Sequence, residues 1–228
     1  MRTLKPQKRD NSSTPRGQQA VSAILAAARD VLVEEGYPRL TMRNVAERAE
    51  MTVGNLSYYY TNKEDLLRDL LEAVIQGYVK DFDRIAANSE QSSAERLEEM
   101  IRFVVGDLST KETTGFFPAL WALAIHDDFA AGEMSRIYQI ERDAFVRVIA
   151  EMRPDLPKKD RDVLALFISA TIEGHTMFIG YKREKASLAG PIANIAAHSL
   201  TELVQSIDSA TIRGLKAASA TVRRRAAS

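Results

Sequence analysis

Apolar residues recur at spacings of three and four along most of this chain, and strand-like alternation is absent. That spacing gathers apolar side chains on one face of an α-helix, whereas a half-buried strand needs a period of two. The expected fold is therefore all-α, with about nine helices and no internal repeat. Residues 1–15 are polar, contain Pro6 and Pro15, and read as a disordered basic arm. Helix 1 is expected from about Gly17 to about Glu35 on Val21, Ile24, Leu25, Ala28, Val31 and Leu32, with Gly36 as its C-terminal cap.

Two short helical segments follow, 42–49 behind Thr41 and 53–60 behind Thr52, each threonine being suited to cap a helix N-terminus. Only Glu50, Met51 and Thr52 separate them. So tight a connection suggests a helix-turn-helix, whose second helix is presented to a groove of DNA. Thr61-x-x-Glu64 fits a capping box for a long fourth helix to about Ala87, and Ser92-x-x-Glu95 fits another. Further helices are expected around 117–126, 129–152, 158–182 and 191–207.

Composition removes several function classes. The 228 residues, 45% hydrophobic and 27% charged, are globular in composition and sufficient for a sizeable core. With no cysteine there can be no disulfide scaffold, thiol nucleophile, iron–sulfur cluster or cysteine-ligated zinc. A di-iron bundle needs Glu three residues before His, but Leu123, Ile172 and Ile195 precede His126, His175 and His198 at that offset. Hydrolase and phosphate-loop motifs are missing too. No catalytic residue, metal ligand or cofactor is expected, and hence no enzyme. The longest apolar run, 116–125, falls short of a membrane span of roughly 20 residues, and the N-terminus has no apolar leader. A soluble cytoplasmic protein without a membrane partner is expected.

Net charge is zero, yet unevenly spread. Residues 1–29 carry six basic side chains against Asp10, and residues 211–228 carry five with no acid, leaving an acidic middle. Basic ends suit either solvated tails or nucleic-acid contact. Within 41–63, Val45, Ala46, Ala49, Met51 and Leu56 form a small core, and Ala46 allows a close helix crossing. The opposite face offers Thr52, Asn55, Ser57, Tyr58, Tyr59 and Lys63, whose hydroxyls, amide and ammonium can bond phosphates or base edges. Gly54 leaves room for backbone to approach DNA. Tyr60 is expected to pack inward, because turning all three tyrosines in would bury three hydroxyls that need partners.

The segments Thr41-Met42-Arg43-Asn44-Val45-Ala46, Gly54-Asn55-Leu56-Ser57-Tyr58-Tyr59-Tyr60 and Lys63-Glu64-Asp65-Leu66-Leu67 carry a resemblance. Together they resemble the DNA-binding domain of the TetR family of one-component transcriptional regulators, over about Arg16 to Leu67. The resemblance implies that Thr41, Thr52, Tyr59 and Lys63 clamp phosphates, while Arg43, Val53, Gly54, Asn55, Ser57 and Tyr58 lie at or near base edges. It also implies a homodimer on a palindromic double-stranded DNA operator, joined through the last two long helices, and a repressor released by a small-molecule effector. Its division of the chain is a basic arm over 1–15, the helix-turn-helix domain over 16–65, an effector-binding and dimerisation domain over 66–210, and a basic tail over 211–228. Two residues depart from the family pattern. Glu50 stands where members usually have Gly, so a left-handed turn there would cost about 1 kcal/mol. Ser57 replaces a common Tyr and shortens one reading side chain.

Candidates for effector contact are the aromatic Phe103, Phe117, Trp121, Tyr138 and Phe178, with His126, Glu173 and His175 as polar residues in or beside apolar stretches. Such aromatics chiefly build a core, and a bundle interior is also where a ligand cavity lies. The stripe Leu164, Phe167, Ile168, Thr171, Ile172, His175, Phe178 and Ile179 serves either intrachain packing or a partner. A rival reading, a helical scaffold protein without sequence-specific DNA binding, makes the polar face of helix 3 incidental. Salt dependence separates the two, because phosphate neutralisation makes log affinity fall linearly with log salt.

Overall fold

The computed structural model describes residues 14–215, so most of the expected arm and tail lies outside the described residues. Among them no strand occurs, and ten α-helices follow one another: α1 (Pro15–Glu35), α2 (Met42–Arg48), α3 (Val53–Tyr59), α4 (Lys63–Ala86), α5 (Ser93–Leu108), α6 (Lys111–Ala124), α7 (Asp128–Met152), α8 (Lys158–Gly174), α9 (Thr176–Ile179) and α10 (Ala189–Ser206). Residues 209–215 add a further helical segment.

Local chemistry sets most boundaries. Thr14 accepts from the Gly17 amide and Pro15 opens α1, where its missing N–H costs nothing. At the other end Gly36, φ 81°, returns its amide to Leu32, a conformation that favours glycine. Ser92 and Glu95 cap α5 reciprocally, as their spacing predicts. The expected box at Thr61 and Glu64 is displaced by one residue: Asn62 is the cap and accepts from the Asp65 amide, while Thr61 donates to the Asp65 carboxylate.

Two helices depart from expectation. α6 starts well before residue 117, because Thr110 caps it by accepting from the Thr113 amide. Its first turns contain Thr113, Thr114, Gly115 and Pro118, all weak helix formers, and packing on α1 holds them. The helix expected over 158–182 stops at Gly174, and the one-turn α9 follows; that division raises the count from nine to ten.

The buried apolar residues form two clusters. One joins α1, α2, α3 and the first half of α4 to Phe116, Phe117 and Leu120 of α6 and to Ala130 and Ile137 of α7. The other joins Phe82 and Ile85 of α4 to α5, the second half of α7, α8 and α10. Tyr78 packs against both. Of the stripe on α8 and α9, Leu164, Ile168, Ile172 and Ile179 are buried in the second cluster, whereas Phe167 and Phe178 are exposed. Residues 158–179 are long and apolar enough to cross a membrane by length and composition, and their inner face is used by contacts of α8 with α7 and α5.

Candidate functional site

The helix-turn-helix is built from its turn outward. The Glu50 amide bonds the Glu47 carbonyl and the Met51 amide bonds the Ala46 carbonyl, the paired closure of a Schellman motif. That motif needs a left-handed residue, and Glu50 supplies it at φ 54°, the strained turn expected of a side chain where glycine is preferred. Leu56 and Tyr60, both 0% exposed, fix α3 to the first cluster. The Tyr60 hydroxyl donates to Asp69 of α4 at 3.1 Å, so the inward tyrosine has its polar partner.

Anchoring these two residues turns the rest of α3 outward. Val53, Gly54, Asn55, Ser57 and Tyr58 are exposed, as are Thr41, Arg43 and Thr52. Thr41 and Thr52 accept from the amides of Asn44 and Asn55 at 3.2 and 3.1 Å, which leaves each hydroxyl proton available to donate. Tyr59 is half-buried and meets Tyr58 edge-on, with centroids 5.1 Å apart. Lys63, at the start of α4, holds its ammonium 4.2 Å from the centre of the Tyr37 ring. Tyr37 was not evident from sequence; it lies in the short 3-10 turn Tyr37–Arg39 behind Gly36.

A second contact links this unit to the rest of the bundle. Lys111, the first residue of α6, and Arg48 of α2 both bond Glu34 near the end of α1. Lys111 and then Arg48 hold the Glu34 carboxylate at about 2, far below its ordinary value. One turn further along α6, a Cβ on Gly115 would lie 2.9 Å from the Val33 carbonyl oxygen, so α6 and α1 touch backbone to backbone.

Between the two apolar clusters lies a narrow cavity of about 20 Å³, room for about one water. Tyr78, Phe82, Phe117 and Tyr138 are its aromatic walls, and Asp107, Glu141 and Glu173 its carboxylates; among the described residues no Lys or Arg lines it. A chamber of about 130 Å³ on the Arg29 and Glu112 side shares Tyr78, Asp107, Thr113 and Phe117 with it. On the other side Tyr138 and Glu173 also border an open, mainly apolar groove formed by Trp121, Ile125, Met134 and Leu166.

The three carboxylates are not equivalent. Asp107 receives hydrogen bonds from the Tyr78 hydroxyl at 2.5 Å and the Thr113 hydroxyl at 2.8 Å. Glu141 accepts from the Ser169 hydroxyl at 3.1 Å, and its burial pushes it up to about 7. Burial, then the charge of Glu141, pushes Glu173 up to about 8, and its Oε2 is buried without a hydrogen-bond partner. Tyr138 faces Glu173, accepts from the Trp121 indole at 2.8 Å, and is raised by burial above the ordinary tyrosine value.

Known proteins match this arrangement in both halves. Residues 24–70 match the family model for bacterial regulatory proteins of the tetR family, and residues 93–205 match that for the BetI-type transcriptional repressor, C-terminal. The chain belongs to the TetR family of bacterial transcriptional regulators. Among curated TetR-family relatives, the HTH-type transcriptional regulator BetI of Escherichia coli is 26% identical over 192 residues, covering 82% of this chain and 90% of that one. An uncharacterized HTH-type regulator of Xanthobacter autotrophicus is 28% identical over 161 residues, 68% of this chain and 76% of its own. A TetR regulator from Haloarcula marismortui shares the fold at a TM-score of 0.67 and 16% identity, covering 81% of this chain and 97% of the other. Salmonella enterica GusR does so at 0.61 and 19%, covering 85% and 97%. As a TetR-family member the protein is a DNA-binding regulator and not an enzyme.

In this TetR-family bundle the sequence candidates for effector contact separate. Phe117, Tyr138 and Glu173 line the cavity, and Trp121 lines the groove outside it. Phe103 stands behind the wall, edge-on to Tyr78 and Phe82. Three candidates lie elsewhere. His126 is exposed just past the end of α6. His175 sits at the break after α8 with Nδ1 3.1 Å from the Ile172 carbonyl, and Phe178 is 71% exposed because the new turn redirects it outward. Asp107 and Glu141 were not singled out from sequence. The signal was present: Glu141 stands four residues after Ile137 and four before Phe145, inside the apolar stripe of α7.

Proposed function

We propose that this TetR-family protein is a repressor that binds a two-fold symmetric operator as a homodimer and leaves it when an apolar cation occupies the bundle. The observation that carries DNA reading is the outward row on α3: Leu56 and Tyr60 are fully buried, and the polar groups between and around them face solvent. In this reading Thr41, Thr52, Tyr59 and Lys63 clamp phosphates, and Arg43, Val53, Gly54, Asn55, Ser57 and Tyr58 meet base edges. Residues 16–65 carry recognition and residues 66–210 carry effector binding and pairing.

Pairing is supported by apolar side chains left in solvent on α8, α9 and α10, among them Leu166, Phe167, Met177, Phe178 and Ile195. A second copy covering this face would set two α3 helices about one DNA turn apart. The effector class follows from the cavity, where aromatic faces and carboxylates converge with no basic side chain. A cation is favoured by both. Because the cavity holds only about 20 Å³, in this reading a ligand parts the five helices α4, α5, α6, α7 and α8 that line it. α4 runs from Lys63 at the reading surface to Tyr78 and Phe82 in the cavity wall, so the ligand's preference for the widened state is transmitted to DNA spacing.

Genomic footprinting would supply the operator, and fluorescence anisotropy across a salt series would test the reading. Tyr59→Phe and Lys63→Ala are expected to weaken binding to all sequences, and Arg43→Ala to relax base preference as well. Unchanged operator affinity in all three, with folding intact, overturns the assignment.

A further inference from the structure

Three carboxylates around one cavity are more than a single monovalent cation can neutralise. Asp107 has two hydroxyl donors, so its charge is already stabilised by the bundle. Glu141 and Glu173 differ. They project from neighbouring helices, α7 and α8, against the same small space, and their charges act on one another. Facing them are Tyr78 from α4, Asp107 from α5 and Tyr138 from their own side of the bundle, while α6 contributes only the apolar Phe117 and the hydroxyl of Thr113. Among the described residues the one cation acting on the pair is Arg142, which faces the outer groove and attracts Glu141 weakly. Ser169 offers Glu141 a single hydroxyl, and Tyr138 offers Glu173 another, leaving Glu173 Oε2 without a donor.

Glu141 is buried and Glu173 half-buried against one cavity, and two ionised carboxylates there, without a bonded counter-charge, cost more than two carboxylic acids. We propose that the effector site is a proton-for-cation exchanger: the unliganded site stores protons on Glu141 and Glu173, and binding of a monovalent cation expels one of them. The O–H bond of a carboxyl group breaks, the proton passes to solvent buffer, and the cation takes over its positive charge, so the charge of the pocket is nearly conserved. The regulator's sensitivity to its effector therefore rises with pH. This inference rests on the cation-effector reading given above, but the two fail differently.

The test uses full-length protein and defined probes: tetramethylammonium, benzyltrimethylammonium, and neopentylbenzene, the neutral isostere of the second. Calorimetric titration in two buffers of different ionisation enthalpy counts the protons released. We expect benzyltrimethylammonium to bind with release of about one proton near neutrality, its affinity rising about tenfold for each pH unit over which one proton is displaced. Glu173→Gln and Glu141→Gln, which keep shape and remove the acid, should each lower the proton count and flatten the pH profile. Carbon NMR of labelled glutamate in the unliganded protein gives a readout independent of any probe. Both carboxyls should titrate well above the ordinary range. Binding of a cation without proton release overturns the exchange while leaving the effector reading intact, as does ordinary titration of both carboxyls. Failure of both cations to bind, or equal binding of neopentylbenzene, overturns the cation-effector reading and the exchange with it.

Discussion

Two stretches of α4 treat polar groups in opposite ways. At its N-terminus, around α3, hydroxyls and an amide stand in solvent with the Lys63 ammonium resting on the Tyr37 ring, and burial is left to Leu56 and Tyr60, whose one hydroxyl is satisfied by Asp69. Near its middle, where the two apolar clusters meet at Tyr78, carboxylates are enclosed among aromatic rings and two of them are displaced from their ordinary ionisation. The first arrangement is stable as it stands and waits for an anion. The second carries an unresolved electrostatic cost that a proton relieves now and a cation can relieve later. A sensing site can thus be poorer in local stability than a reading site, and draw its response from that difference.

The comparison can be broken most forcefully at the reading end. Leu56→Ala removes the buried anchor of α3, and we expect a loss of about 2–5 kcal/mol in chemical denaturation together with loss of operator binding. If DNA binding survives intact, the outward row does not depend on its anchor. Next comes Glu141→Gln. The folded protein holds this proton up to about 7, against 4.5 for the ordinary group, so the glutamate costs nothing below the lower value and destabilises the fold progressively as pH rises through the higher one. The amide should therefore gain on the order of 2 kcal/mol at alkaline pH relative to wild type and nothing in acid, read from melting curves. A gain independent of pH would mean a packing effect. Thr52→Ala removes the cap of α3, and we expect a loss of about 1 kcal/mol in stability and weaker DNA binding with an unchanged salt dependence, since no charge is removed. The smallest effect is Glu50→Gly, expected to stabilise by about 0.5–1 kcal/mol through relief of the left-handed turn. A loss on that substitution would show that the Glu50 side chain contributes more than its backbone strain costs.

The reading end was legible in sequence because its determinants are local. Caps at Thr41 and Thr52, the spacing across Glu50, and the inward turn of Tyr60 all depend on neighbours within a few residues, and each is found where expected. Even the strain at Glu50 follows from one residue type in one turn. The cavity is assembled from five helices, and only contacts between them decide which polar residue faces inward. Thus Glu173 was recognisable as a charge in an apolar stretch, and Glu141 had the same signature in α7. Phe178 and His175 were misplaced because α8 ends at Gly174, which changes the facing of everything after it. The start of α6 was missed for a related reason, since Thr113, Thr114, Gly115 and Pro118 are helical by tertiary support rather than by propensity.

Gly115 gives that support a genetic meaning. Where α6 meets Val33 of α1 with no side chain of its own, the resting distance between the two halves is set by the smallest residue available, and mutation can only lengthen it. A single added methyl would push against the backbone of Val33 as a permanent spacer. Under the proposed ligand-released mechanism, Gly115→Ala would act as a built-in inducer, fixing in the gene the state assigned there to the ligand-bound protein.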